Sequence, residues 1–185
     1  MPDWQDSTAL IVVDVQKGFD DEVYWGARNN PDCEANIARL IAAWRDQNWP
    51  VVFVRHASVN PSSPLSPNSA GFAFKSIITG EPDLLVTKSV HSAFHGDEDL
   101  DAWLKSKGIT GVAICGIQTN MCCETTARVA SDLGYDMIFV SDATHTFDIV
   151  TPTHKVYRAR EIARYTAVTL DNSFGRVMRT MDLLD

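Results

Sequence analysis

Short apolar runs recur along the chain, and polar or helix-patterned stretches separate them. The runs are Leu10-Ile11-Val12-Val13, Val51-Val52-Phe53-Val54, Leu84-Leu85-Val86, Val112-Ala113-Ile114-Cys115, Met137-Ile138-Phe139-Val140 and Ala167-Val168-Thr169-Leu170. None alternates apolar with polar, so each is expected to be a strand covered on both faces. The intervening stretches follow the helical period. After Pro31-Asp32, with Asp32 as the expected N-cap, Ile37, Leu40, Ile41 and Trp44 form one stripe. Further helices are predicted over Leu100–Lys107 (stopped by Gly108), Thr119 to Leu133 (stopped by Gly134), Thr153–Ala163 and Phe174–Met181. Two polar stretches, Gln16–Asn30 and Asn60–Gly71, read as loops, and the second is long enough to suggest function.

Strands alternating with helices predict an open six-stranded parallel sheet with helices on both faces, an α/β three-layer fold of the Rossmann-like kind. No repeat, low-complexity tract or linker interrupts the 185 residues, so a single domain over residues 1–185 is expected. Composition narrows the function. The net charge of -8 argues against a nucleic-acid surface, and the lack of any Lys/Arg run argues against a polybasic membrane patch. The first residues, Met-Pro-Asp-Trp-Gln-Asp, do not resemble a signal peptide, and no apolar run is long enough to span a bilayer. Cys33, Cys115, Cys122 and Cys123 are too few for a disulfide framework, and all four are expected to be thiols in the cytoplasm.

In sheets of this type ligands bind beyond the carboxyl ends of the strands, so strand-end residues carry the functional argument. Asp14 closes the first run and Lys88 the third. Taken singly, one reads as a loop carboxylate and the other as a solvated lysine. Cys122 is more informative, because Gly116-Ile117-Gln118-Thr119-Asn120-Met121-Cys122 leads from a strand through a turn into a helix. A thiol in a first helical turn faces free backbone N–H groups and the positive end of the dipole, which favour thiolate and could hold an oxyanion. Cys115, inside a strand, reads as a small buried hydrophobe, and Cys123 as a packing residue. Together, Asp14 would be the base, Lys88 the stabilising charge and Cys122 the nucleophile.

These segments, in order, resemble the isochorismatase-like cysteine hydrolases, which include nicotinamidases and related amidases. The resemblance covers nearly the whole chain. It is carried by Thr8 through Gln16 with Phe19, by Lys88 followed by Ser92-Ala93-Phe94 and Gly96, by Gly116 through Cys122 with Thr126-Ala127, and by Gly134-Tyr135 and Asp142-Ala143. It implies the same roles for Asp14, Lys88 and Cys122. It also implies a cis peptide between Ile117 and Gln118, an oxyanion hole from the backbone N–H groups of Gln118 and Cys122, and Gln16 and Phe19 in the pocket. Subunits of this family often associate, so a homo-oligomer acting on a small-molecule substrate is expected.

One departure from the family matters. Nicotinamidases carry a metal-binding Asp-x-His with further histidines after the second strand. Here that region reads Val54-Arg55-His56-Ala57, with no other histidine until His91, so neither metal nor cofactor is expected. His56, Phe94 and His145 are candidate pocket residues, Arg55 is a candidate substrate anchor, and His91 and His95 are placed at the mouth. The tryptophans Trp4, Trp25, Trp44, Trp49 and Trp103 read as core or interface anchors. Three functions remain open: an amide, lactam or ureide hydrolase working through a thioester, a vinyl-ether hydrolase using Asp14 as general acid, and a silent binding protein on the same fold.

Overall fold

The computed structural model describes residues 7–184. Six parallel strands form the sheet: β1 (Thr8–Val13), β2 (Val51–His56), β3 (Leu84–Lys88), β4 (Gly111–Ile117), β5 (Asp136–His145) and β8 (Arg176–Met178). Their spatial order is β3-β2-β1-β4-β5-β8. A small antiparallel ribbon, β6 (Ile149–Val150) with β7 (Val156–Tyr157), lies apart from the sheet. The helices are α1 (Glu22–Trp25), α2 (Cys33–Asp46), α3 (Leu100–Ser106), α4 (Glu124–Asp132), α5 (Ala159–Ser173) and α6 (Thr180–Leu184). Trp4 lies outside the described residues. Among the described residues, no helix is long and apolar enough to cross a membrane.

The unbroken apolar runs follow from burial on both sides of the sheet. Along β1, Leu10 and Val12 pack with Ile37, Leu40, Ile41 and Trp44 of α2. Ile11 and Val13 point the other way and pack with Leu100 and Leu104 of α3, Ala127 and Ala130 of α4, and Leu170 of α5. All of these side chains are buried, so β1 is sealed from water on both faces. The chain runs outward from β1 through β2 to β3, then returns to place β4 on the other side of β1. The carboxyl ends of β1 and β4 therefore flank the point where strand order reverses, where such sheets open a crevice.

Three expectations are corrected at the element level. Ala167–Leu170 is not a strand but the last part of α5, whose buried residues Ala159, Thr166 and Leu170 fall on one helical face while Val168 is exposed. The sixth strand is Arg176–Met178, which pairs with β5 over three residues. The helix expected from Thr153 begins at Ala159, because Val156–Tyr157 joins the ribbon, and the final helix begins at Thr180. The β-branched run in α5 misled because local propensity is a weak signal against a buried helical stripe. Asp32 occupies the N-cap position of α2, but its side chain makes no capping bond.

Candidate active site

The crevice at the strand ends is a cavity of about 200 Å³. Asp14 and Cys122 line it from different elements, and Lys88 stands behind Asp14. Asp14 follows β1 with φ of 54°, a left-handed conformation that an aspartate adopts more readily than most residues. Its N–H donates to the Val54 carbonyl at 2.8 Å, and its own carbonyl accepts from Gln16 N–H at 2.7 Å. This turn ends β1 and leaves the carboxylate in the crevice. Lys88 arrives from the end of β3, and its Nζ donates to Asp14 Oδ2 at 2.7 Å. Both side chains are wholly shielded from solvent.

Cys122 comes from β4 through a sharp turn. The Ile117–Gln118 peptide is cis. Gly116 allows β4 to lie against β1: its φ is 131°, and a Cβ there would sit 2.0 Å from the Val13 carbonyl oxygen. The helix expected from Thr119 starts as one π-helical turn, Thr119–Cys123, before α4. Cys122 lies in that turn and lines the cavity together with Gln118 and Met121. The structure thus brings Asp14, Lys88 and Cys122 together from β1, β3 and the β4–α4 turn.

The charge balance at the sulfur differs from the sequence-based expectation of a thiolate. Burial pushes the Cys122 thiol well up, the Asp14 carboxylate adds to the rise, and Lys88 only partly opposes it. The balance of these influences favours the thiol over the thiolate. Burial alone would pull the Lys88 ammonium down, but Asp14 and the Cys122 sulfur outweigh burial and raise it. Asp14 Oδ1 is buried and, among the described residues, meets no hydrogen-bond partner. A bare carboxylate oxygen therefore stands close to a thiol that must lose its proton before it can attack.

His56 completes the surroundings of Lys88. Its Nδ1 is 3.4 Å from Lys88 Nζ, and its ring also bonds the backbone at Val90. Burial and the neighbouring ammonium hold its pKa below the usual histidine value. A neutral imidazole accepting from an ammonium fits both observations. Asp14, His56 and Cys122 offer ligand atoms within 4.8 Å of one another, an oxygen, nitrogen and sulfur set that a divalent ion could use. Lys88 Nζ fits that set poorly with a metal, because it already contacts two of the three groups.

The other pocket candidates divide. Phe19 and His56 line the cavity. Gln16 does not. It is fully buried and acts as a clamp, donating from Nε2 to the His56 and Phe72 carbonyls and accepting at Oε1 from His56 N–H. Phe94 packs against Tyr135 with ring centroids 6.0 Å apart, away from the cavity. His145 is also absent from it. β5 shifts register between the Phe139–Ile114 and Thr144–Gly116 pairs, and His145 is buried beside Glu34 of α2 and edge-on to Phe147. Arg55 lies over the Phe72 ring and donates to Thr87 Oγ1, and it does not line the cavity.

Residues missed or undervalued in the sequence complete the wall. Trp25, read as a core or interface anchor, lines the cavity, and its ring lies 5.0 Å from Phe19. Leu65 reaches in from the Pro/Ser-rich loop, Met121 also lines the cavity, and so does His91, which the sequence placed at the mouth. Trp25 and Leu65 lie in stretches with no periodicity, so nothing local marked their direction. His91 Nδ1 is 3.7 Å from Cys122 Sγ.

Comparison with known proteins agrees with this architecture. The sequence matches the family description "Isochorismatase domain" over residues 8–179. It is 37% identical over 182 residues to the isochorismatase family protein YrdC of Bacillus subtilis (strain 168), covering 98% of this chain and 96% of that one. It is 32% identical to the ureidoacrylate amidohydrolase RutB of Variovorax paradoxus, over 75% of this chain and 68% of that one. A hydrolase of the isochorismatase family from Chromobacterium violaceum, known from its crystal structure, superposes with a TM-score of 0.90 at 32% identity, covering 97% of this chain and 92% of that one. With the six-stranded sheet and a strand-end cavity in place, the conclusion is that this chain belongs to the isochorismatase family and is a hydrolase.

Proposed function

We propose that the protein is a cysteine hydrolase that cleaves a C–N bond in a small amide, lactam or ureide by way of a thioester on Cys122. The observation that carries this reading is the bare, buried Asp14 Oδ1 in the same cavity as the Cys122 thiol, with Lys88 bonded to the other carboxylate oxygen. As Cys122 attacks the carbonyl carbon, its proton passes to Asp14 Oδ1. The oxyanion forms against the backbone N–H groups of Gln118 and Cys122. Asp14 then gives the proton to the departing nitrogen, the C–N bond breaks, and the acyl group remains on sulfur. Water releases the acid. Lys88 offsets the negative charge throughout, so the route calls for no metal.

The cavity supports a small substrate with an apolar body. Phe19, Trp25, Leu65 and Met121 offer apolar surface, and His56 and His91 are the polar groups at its sides. Similarity to an amidohydrolase favours C–N cleavage over vinyl-ether cleavage. The test is a screen of small amides, ureides and lactams with Cys122→Ala as control. Turnover abolished by Cys122→Ala supports the reading. Turnover that survives the loss of sulfur selects the general-acid chemistry of Asp14 instead.

A further inference from the structure

The turn from Gln118 to Cys122 has a second task besides carrying the sulfur. On the reading above, its Gln118 and Cys122 N–H groups receive the oxyanion, and such donors help only when aimed within about 3 Å of where the charge forms. The backbone of the turn fixes that aim loosely. The Met121 and Cys123 N–H groups share one acceptor, the Gln118 carbonyl, at 3.2 Å each. One side of the turn is open, since Gln118, Met121 and Cys122 all line the cavity.

The other side is held by the end of β5. Thr119 Oγ1 donates to Thr144 Oγ1 at 2.9 Å, and Thr144 Oγ1 donates in turn to the Ser141 carbonyl at 3.2 Å. Thr146 reaches further along the turn. Its Oγ1 donates to Asn120 Oδ1 at 2.5 Å and lies 3.4 Å from Gln118 Oε1. Thr146 is wholly buried, and its backbone is locked from behind. Its N–H donates to Asn29 Oδ1 at 2.8 Å, and its carbonyl accepts from Asn29 N–H at 3.2 Å. Thr146 does not line the cavity, so whatever it does for the reaction passes through the turn.

We propose that Thr146 is a positioning residue of the oxyanion hole, an inference that rests on the cysteine reading above. Its hydroxyl ties the side chain of Asn120 to a rigid post, and the post is anchored in the loop at Asn29. The tie holds the Gln118 and Cys122 N–H groups towards the carbonyl oxygen as charge develops on it. Proton removal from the sulfur does not depend on this tie, because Asp14 reaches the cavity from β1. Loss of the hydroxyl should therefore slow attack on a carbonyl and spare a reaction of the same sulfur that forms no oxyanion.

Two probes separate these cases. Nitrophenolate release from p-nitrophenyl acetate, with protein in excess, reports one acylation of Cys122. Alkylation by iodoacetamide displaces iodide and develops no oxyanion. Thr146→Val removes the hydroxyl and keeps the shape. It is expected to slow nitrophenolate release about 10- to 100-fold, short of the loss when an oxyanion donor is removed outright, with the alkylation rate unchanged. Thr146→Ser should restore release. Asn120→Ala breaks the same bond from the less buried end and should give the same split, which decides the matter should Thr146→Val fail to fold. Thr146→Val/Asn120→Ala should lose no more than either single variant. Unslowed release, alkylation slowed as much as release, or additive losses in the double variant overturn the proposal. A different result marks failure of the cysteine reading itself: release that persists in Cys122→Ala, or no acetyl group on Cys122 by mass spectrometry, and this proposal then falls with it.

Discussion

Lys88 Nζ and Asp14 Oδ2 are 2.7 Å apart, with both side chains wholly withdrawn from water. The pair joins the ends of β1 and β3, two strands that do not touch in the sheet, since β2 lies between them. Taking either charge out of water unpaired is costly, so each partner makes the burial of the other tolerable. Lys88→Met leaves Asp14 as an uncompensated buried carboxylate and is expected to cost about 3–5 kcal/mol of stability. In the double variant Asp14→Leu/Lys88→Met most of that loss should be recovered, while activity stays absent. Urea unfolding of the two variants measures the difference. Equal destabilisation in both would mean that packing volume, not charge pairing, is at stake.

The electrostatics at Cys122 lead to an effect of opposite sign on two readouts. Burial and the Asp14 carboxylate raise the thiol, while Lys88 lowers it. Removing the carboxylate charge with Asp14→Asn takes away a raising influence and leaves Lys88 in place. Iodoacetamide should therefore alkylate Cys122 faster at neutral pH in Asp14→Asn, although hydrolysis of the substrate collapses for want of a base. Alkylation slowed together with hydrolysis would show that Asp14 acts by positioning the sulfur.

His145 gives the fold an acid-sensitive point away from the cavity. Burial lowers its pKa to about 3, with Glu34 partly opposing and Arg28 and Lys75 adding to the fall. The unfolded chain takes up a proton on this ring below about pH 6.5 and the native chain does not, so stability falls as pH drops from about 6.5 towards 3. The slope from this residue is at most about 1.4 kcal/mol per pH unit. In His145→Leu that part of the slope should vanish. Urea midpoints measured across this range for both chains provide the comparison, and an unaltered slope would place the acid sensitivity elsewhere.

Gly116 holds β4 close to β1. Its φ of 131° and the 2.0 Å approach of a virtual Cβ to the Val13 carbonyl leave no room for a side chain. Gly116→Ala is expected to cost at least about 3 kcal/mol, combining backbone strain with a steric clash. Near-native stability in a denaturant titration would contradict the close β1–β4 contact that places Asp14 beside the Gln118–Cys122 turn.

Much of this protein was legible along the chain. Runs such as Leu10–Val13 named five of the six strands, because a strand covered by helices on both sides must be apolar at every position. Strand-end chemistry singled out Asp14, Lys88 and Cys122, because in parallel sheets the carboxyl edge is where backbone and side chains are free to meet a ligand. The sixth strand was not legible: at three residues, Arg176–Met178 owes its place to β5 beside it rather than to its own pattern.

Tertiary structure alone decided which loop residues face the cavity. Gln16 and Phe19 are three positions apart on one loop, yet one is spent on backbone carbonyls and the other forms the wall. His145 and His91 both lie near strand ends, but the register shift in β5 buries the first, while the Ala93–Thr126 bond holds the second near the sulfur. At Cys122 the sequence pointed to thiolate, because a helix start favours it, whereas burial in the folded site favours thiol. Periodicity reports which side of an element is dry. The direction of a loop side chain and the balance of buried charges depend on contacts between residues far apart in the chain, and only the folded arrangement sets them.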